Sequence, residues 1–218
     1  MIRGNFIVLE GIDGAGTTTQ ARLLQEAFTS RGLPAHVTAE PSQGPVGGLI
    51  RQFLSGRIVS RLPTGIATTR WTVMALLFAA DRQDHLQNSI EPNLRDGVNV
   101  ICDRYTMSSL VYQSITGGDA ESRDWIVDIN RHARKPDLTL LLDTDPTEAT
   151  RRVRARSERT EMFDDPELQR KLAEGYLRLA QEDGAGKIAR IDGNRAIEEI
   201  ARDCWQAVEN LRAEGAPS

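Results

Sequence analysis

The segment Gly11-Ile12-Asp13-Gly14-Ala15-Gly16-Thr17-Thr18-Thr19 carries the clearest chemical signal in the chain. Gly11 and Gly16 meet a Gly-x-x-x-x-Gly spacing, and a hydroxyl, Thr18, stands two places after the second glycine. Glycines let a backbone curl around a phosphate with its N–H groups turned inward, and a helix opening behind the loop adds the positive end of its dipole. A hydroxyl at Thr18 suits a Mg²⁺ ion carried by a nucleoside triphosphate such as ATP. One part of the pattern is missing: Thr17 stands where a lysine normally follows Gly16. Without it the loop lacks a charged hydrogen bond worth about 1.5–3 kcal/mol, so another cation must hold the donor's β- and γ-phosphates. The alternative is a glycine-rich turn with no ligand, which the order strand, loop, helix disfavours.

A source of that cation lies far along the chain, where five arginines occur between Arg151 and Arg159. On a continuing helix Arg152, Arg156 and Arg159 share a face. Guanidinium groups on a lid could close over the phosphates and neutralise a group in transfer; a solvated basic helix face is the bland alternative. Asp103-Arg104 follows the apolar run Val98–Cys102. Open α/β sheets bind ligands at the carboxyl ends of their strands, so these two side chains stand where chemistry belongs. An ion pair closing the strand is the alternative. Phe78 and Arg82 are four apart and share a face if helical, although a helical phenylalanine is ordinarily core.

These residues need elements to hold them. Asn5–Glu10, Ala35–Thr38, Val98–Cys102, Leu138–Leu142 and Ile188–Ile191 read as strands, several of them apolar throughout, as buried parallel strands are. Helical spacing covers Thr18–Arg31, Thr68–Asn88, Asp124–Ala133, Pro146–Arg156, Pro166–Asp183 and Arg195–Ala213. Strands alternating with helices predict an α/β fold, a five-stranded parallel sheet covered on both faces. No repeat or linker divides residues 1–218, so one domain is expected, with a frayed tail from Ala213.

Composition narrows the classes. The 218 residues are 39% hydrophobic and 27% charged, as in soluble globular proteins. A net charge of −4 argues against bulk nucleic-acid binding, though not against a phosphate bound by local arginines and amides. The two cysteines, Cys102 and Cys204, suggest neither a disulfide framework nor a zinc site. No apolar run reaches the length of a signal peptide or a membrane span, which makes the cytoplasm the expected location.

Taken in order, the motifs resemble the thymidylate kinases, P-loop nucleoside monophosphate kinases, nearly end to end. After the phosphate loop come Glu40-Pro41, Leu77-Phe78-Ala79-Ala80-Asp81-Arg82, and Asp103-Arg104-Tyr105-Thr106-Met107-Ser108-Ser109 closing with Tyr112-Gln113. Pro136 to Asp143, the arginine run and Asp192-Gly193-Asn194 complete the series. The resemblance implies a three-layer P-loop kinase fold with an Arg-rich lid near 152–164, and transfer of a phosphate from ATP to dTMP. It implies that residues 11–19 and Asn194 bind ATP, and that Thr18 and Asp103 hold Mg²⁺. It further implies that Phe78 stacks on thymine, that Arg82 bonds its carbonyl edge, and that Tyr112 excludes a ribose 2′-hydroxyl. Pro41, Leu54, Ser108, Ser109 and Gln113 join the acceptor site, the serines being open to a simpler reading as helix-start residues. Asp13 and Arg104 are expected at the sugar and the acceptor phosphate, and Arg104, Asp103, Asp13, Arg154, Arg156 and Arg159 as the catalytic set. A homodimer is expected by the same resemblance. Thr17, and Ala39 where many members have arginine, depart from the family pattern; Gly14 and Ala15 leave the loop without a basic side chain, which implies reliance on lid arginines. A kinase for another deoxynucleotide or a nucleoside, and a non-catalytic nucleotide-binding homologue, are the alternatives.

Overall fold

A computed structural model describes residues 3–62, 65–67, 71–117, 120–156, 165–182 and 186–214. Five strands, β1 (Phe6–Glu10), β2 (Ala35–Ala39), β5 (Asn99–Asp103), β6 (Leu138–Asp143) and β7 (Ile188–Asp192), form one parallel sheet in the order β2-β5-β1-β6-β7. A short antiparallel pair, β3 (Ser60–Leu62) and β4 (Gly65–Ala67), stands apart from it. The helices are α1 (Thr17–Thr29), α2 (Pro45–Leu54), α3 (Trp71–His85), α4 (Glu91–Arg95), α5 (Thr106–Gly117), α6 (Ala120–Ile129), α7 (Pro146–Arg156), α8 (Pro166–Ala180) and α9 (Ile197–Glu214).

The sheet is apolar on both faces because both are covered. In β1, Ile7 and Leu9 pack with Leu24, Phe28, Leu172 and Val208, whereas Phe6 and Val8 pack with Leu86, Ile90 and Leu94. Alternation sends successive side chains to opposite faces, so a strand between two helical layers must be hydrophobic throughout. This is the α/β architecture of a P-loop kinase. The strand order reverses at β1, which has β5 on one side and β6 on the other. The crevice above such a reversal is where open α/β sheets take ligands.

Several boundaries differ from expectation. The predicted helix Thr68–Asn88 is described from Trp71 and passes through a π turn, Leu86–Ile90, into α4. The wider turn carries the backbone into Pro92, whose ring would clash with a regular preceding turn. The helix expected over Asp124–Ala133 runs from Ala120 to Ile129 instead. Its end tightens into i to i−3 bonds, from the N–H of Asn130 to Val127 and of Arg131 to Asp128. Helix α2 was not foreseen, because Gly47 and Gly48 weaken helical propensity; a Cβ at Gly47 would lie 2.0 Å from the carbonyl oxygen of Ser42. Of the expected lid, 152–156 close α7, while 157–164 lie outside the described residues, as does most of the expected frayed tail, 215–218.

Candidate active site

The phosphate loop bridges β1 and α1. Gly14 and Gly16 have φ of 85° and 98°, in the left-handed region that glycine adopts without strain. At Gly14 space is restricted too: a Cβ would lie 2.2 Å from the carbonyl oxygen of Ala149 in α7. Ile12 and Ala15 are buried, while Asp13 is half-exposed. Thr17, Thr18 and Thr19 form the first turn of α1, which has no side-chain cap and no acidic residue in that turn. Its first N–H groups lack helical partners. An uncapped, non-acidic helix start behind a glycine loop has the polarity and the free N–H groups that suit an anion.

At the mouth of the loop, the hydroxyl of Thr18 donates a hydrogen bond to Oδ2 of Asp103, at the end of β5. Asp103 is 8% exposed, and its Oδ1 is buried without a hydrogen-bond partner. A hydroxyl beside a carboxylate with a spare oxygen fits a hard divalent cation. No group of three or more His, Cys, Asp or Glu side chains capable of holding a metal occurs among the described residues.

Arg104 follows with φ 68°, the one positive φ outside glycine among the described residues. Left-handed backbone costs a side-chain-bearing residue about 1–2 kcal/mol. Nη2 reaches Oδ1 of Asp13 at 2.6 Å. Nη1 donates to the Gly11 carbonyl at 3.0 Å and to the Tyr112 hydroxyl at 3.2 Å, with the Tyr176 hydroxyl at 3.4 Å. Beneath it lies Glu10, fully buried. Glu10 accepts from the N–H of Tyr105 (2.9 Å) and of Ser108 (3.2 Å), from Ser108 Oγ (2.6 Å) and from the Tyr176 hydroxyl (3.3 Å). Burial pushes the Glu10 carboxyl above its usual range, against the pull of Ser108 and Arg104 in the other direction.

A second charged group is buried more deeply. Arg82 on α3 is 1% exposed; Nη2 lies 2.7 Å from Oε2 of Glu40, and Nε donates to the same oxygen at 3.0 Å. It also donates to Ser109 Oγ at 2.9 Å and to the side-chain oxygen of Asn130. The guanidinium carbon stands 5.0 Å from the centroid of the Tyr105 ring. His85, one turn beyond Arg82, sits 3.4 Å from the other Glu40 oxygen. Phe78, half-buried, precedes Arg82 by one turn of α3. Glu40-Pro41 is a cis peptide, and Arg51 of α2 donates to the Pro41 carbonyl at 3.0 Å.

The structure therefore brings Asp13, Arg104, Ser108 and Tyr112 together, and separately Arg82 with Ser109. The adjacent serines of α5 divide, Ser108 toward Glu10 and Ser109 toward Arg82. Gln113 is buried on the same helix, and Leu54 ends α2 at 39% exposure. Asn194 stands apart: its side chain accepts from the Asp145 N–H and donates to Asp192, tying two loops. In α7, Arg152 bonds Glu148 and the Gly193 carbonyl, and Arg154 is exposed. The side chain of Arg156 and the whole of Arg159 lie outside the described residues.

Sequence reading passed over Glu10, Asn130 and Tyr176. An acid at the end of an otherwise apolar strand was a usable signal for Glu10, since a carboxylate there must be either solvated or paired. Nothing in the spacing points to the other two, which reach the site from 48 and 72 residues away from their partners Arg82 and Arg104.

Fold and loop place the chain in the class of P-loop kinases. A family model described as thymidylate kinase matches residues 9–204. The chain is 43% identical over 209 residues to "Probable thymidylate kinase" of Thermococcus kodakarensis, covering 96% of this chain and 99% of the relative. It is 42% identical over 205 residues to the protein of the same description from Thermococcus onnurineus (94% and 97% covered). It is 40% identical over 213 residues to "Thymidylate kinase" of Ruegeria pomeroyi, with 94% of each covered. The chain belongs to the thymidylate kinase family.

Proposed function

We propose that the protein transfers the γ-phosphoryl group of ATP to dTMP, giving dTDP and ADP. The observation that carries this reading is the Arg104 guanidinium, fixed between Asp13 in the phosphate loop and Tyr112 on α5. There it faces both a donor in the loop and an acceptor over α5. Phosphoryl transfer needs little covalent chemistry from a protein; it needs two substrates in line and charge neutralised around the moving group.

In this reading residues 11–19 cradle the triphosphate, and Asn194 closes the loop beside the adenine. Thr18, with Asp103 acting through water, would hold Mg²⁺, which supplies charge neutralisation between the phosphates. Arg104 contacts the acceptor phosphate and, with Arg154, Arg156 and Arg159, the group in transfer. Asp13 orients Arg104 and meets the sugar 3′-hydroxyl. Phe78, Arg82 and Ser109 take the thymine, Pro41, Leu54, Ser108 and Gln113 border it, and Tyr112 occupies the space of a ribose 2′-hydroxyl. Asp103, Arg104 and Asp13 are all present, with Arg104 paired to Asp13 and Asp103 to Thr18, which favours catalysis over mere binding despite Thr17.

We also place the reaction in the cytoplasm, which suits the free thiols Cys102 and Cys204. Among the described residues no helix is long and apolar enough to cross a membrane. Apolar side chains exposed on α2 and α3, Leu49, Val73 and Leu76, support a homodimer. Steady-state assays with ATP and Mg²⁺, comparing dTMP, dUMP and thymidine, test the acceptor. The expected kcat/KM for dTMP exceeds the others by about tenfold or more. Equal or faster turnover of thymidine, or no turnover of dTMP above an Arg104→Ala control, overturns the assignment.

A further inference from the structure

Three successive residues hold Arg104, two by the backbone of its left-handed turn and one by the guanidinium. The Leu9 carbonyl accepts from the Arg104 N–H at 2.9 Å, Glu10 Oε1 accepts from the Tyr105 N–H at 2.9 Å, and the Gly11 carbonyl accepts from Arg104 Nη1 at 3.0 Å. Two of these grips are main-chain carbonyls, which any residue supplies. Side chains grip this turn at two places, Glu10 and Cys102, whose Sγ donates to the Arg104 carbonyl at 3.1 Å, and of the two only Glu10 also receives an amide of α5. A residue in a sparsely populated backbone region stays there only where its surroundings over-determine it.

The chemistry of Glu10 fits that task. Its side chain is fully buried, and Oε1 receives two amides, of Tyr105 and Ser108, on either side of the entry into α5. Oε2 receives two hydroxyls, of Ser108 and Tyr176. Tyr176 also lies against Arg104, so one carboxylate ties the end of β1, the turn at Arg104, the first turn of α5 and α8. We propose that Glu10 is a positioning residue for Arg104: its carboxylate fixes the turn from Arg104 into α5 and thereby aims the guanidinium at Asp13 and Tyr112. The inference rests on the reading of Arg104 as the arginine that meets the phosphates, and adds to it the group that sets its direction.

The test uses Glu10→Asp, Glu10→Gln and Arg104→Ala, with Glu10→Asp also made in the Arg104→Ala background. Aspartate keeps the charge but is one methylene shorter, withdrawing the acceptor from the two amides. Glutamine keeps Oε1 in reach and offers an N–H to the two hydroxyls, each of which can reverse its bond. The expected result is a kcat lowered about tenfold to a hundredfold by Glu10→Asp, with KM for dTMP within about threefold and glutamine retaining about a third of kcat or more. In the Arg104→Ala background Glu10→Asp should add less than about twofold, because coupled residues are not additive. An unchanged kcat for Glu10→Asp, or an undiminished effect without Arg104, overturns the proposal. An Arg104→Ala variant with full activity would instead defeat the reading of Arg104 itself. Should Glu10→Asp not fold, hydrogen exchange on the unaltered protein decides: the Tyr105 amide is expected among the slowest to exchange, and fast exchange there overturns the proposal.

Discussion

Arg104 and Asp13, 91 residues apart in sequence, meet at 2.6 Å across the mouth of the phosphate loop. Their side chains keep 21% and 33% of their accessible surface, so water screens the pair. A screened pair of this kind contributes about 0–1 kcal/mol to folding. The contact joins the glycine-rich loop after β1 to the turn that leads from β5 into α5.

Replacing Arg104 by alanine should therefore separate activity from stability. The expected loss is about a thousandfold in kcat, with unfolding free energy changed by no more than about 2 kcal/mol. Steady-state kinetics and urea denaturation on the same preparation check both. A variant as active as the parent would remove Arg104 from the chemistry.

The pair Arg82–Glu40 predicts the reverse balance. With side chains 1% and 2% exposed, Glu40→Ala leaves a buried guanidinium bonded to the neutral Ser109 and Asn130 but without its opposite charge. Breaking such a pair from one side costs about 3–5 kcal/mol. Urea denaturation measures it, and a loss below about 1 kcal/mol would mean that the neutral partners or water suffice for the guanidinium.

Thr18 should set the demand for metal. Thr18→Ser retains the hydroxyl and is expected to behave like the parent. Thr18→Ala should raise the Mg²⁺ concentration for half-maximal rate by about tenfold, the equivalent of one hydrogen bond near 1.4 kcal/mol. Mg²⁺ titrations at fixed ATP distinguish the two, and identical curves would exclude Thr18 from the ion's surroundings.

Both thiols should be inert in the native state. Burial pushes Cys204 up to about 12 and Cys102 well above the ordinary value of 9.0. Near pH 8 the thiolate fraction of Cys204 then falls roughly a thousandfold, and thiolate is the reactive form. A chromogenic disulfide reagent should titrate neither cysteine until urea is added. Rapid stoichiometric labelling of the native protein would contradict the buried placement.

Glu10 gives the stability a pH signature. Its folded carboxyl binds a proton more tightly than the value of 4.5 expected when unfolded. Its contribution is therefore complete below 4.5 and is lost as pH rises through the folded value. The unfolding free energy of the parent minus that of Glu10→Gln should fall as pH rises from about 4. A difference that rises with pH would reverse the sign.

Much of this architecture was legible in the sequence because buried parallel strands announce themselves. Val100-Ile101-Cys102 and Leu140-Leu141-Leu142 are apolar without alternation, and helices separate them. The loop was legible because glycine spacing is a local property. What stayed hidden depends on distance. Arg82 was visible one turn after Phe78, but its partner Glu40 lies 42 residues away, and no spacing rule connects them. The extent of the third helix was hidden because Pro92 suggests an end, and a π turn is a response to packing that propensity does not encode.

The contact of Gly14 with the Ala149 carbonyl leaves a mark on how this loop can change over generations. A single codon replacement that introduced a basic side chain there would drive its Cβ to 2.2 Å from a main-chain oxygen, at a φ of 85°. Acquiring a cation at that spot would require α7 to shift first. Until such a shift, mutation is free to vary the charge on other segments, but the loop is confined to glycine at this place.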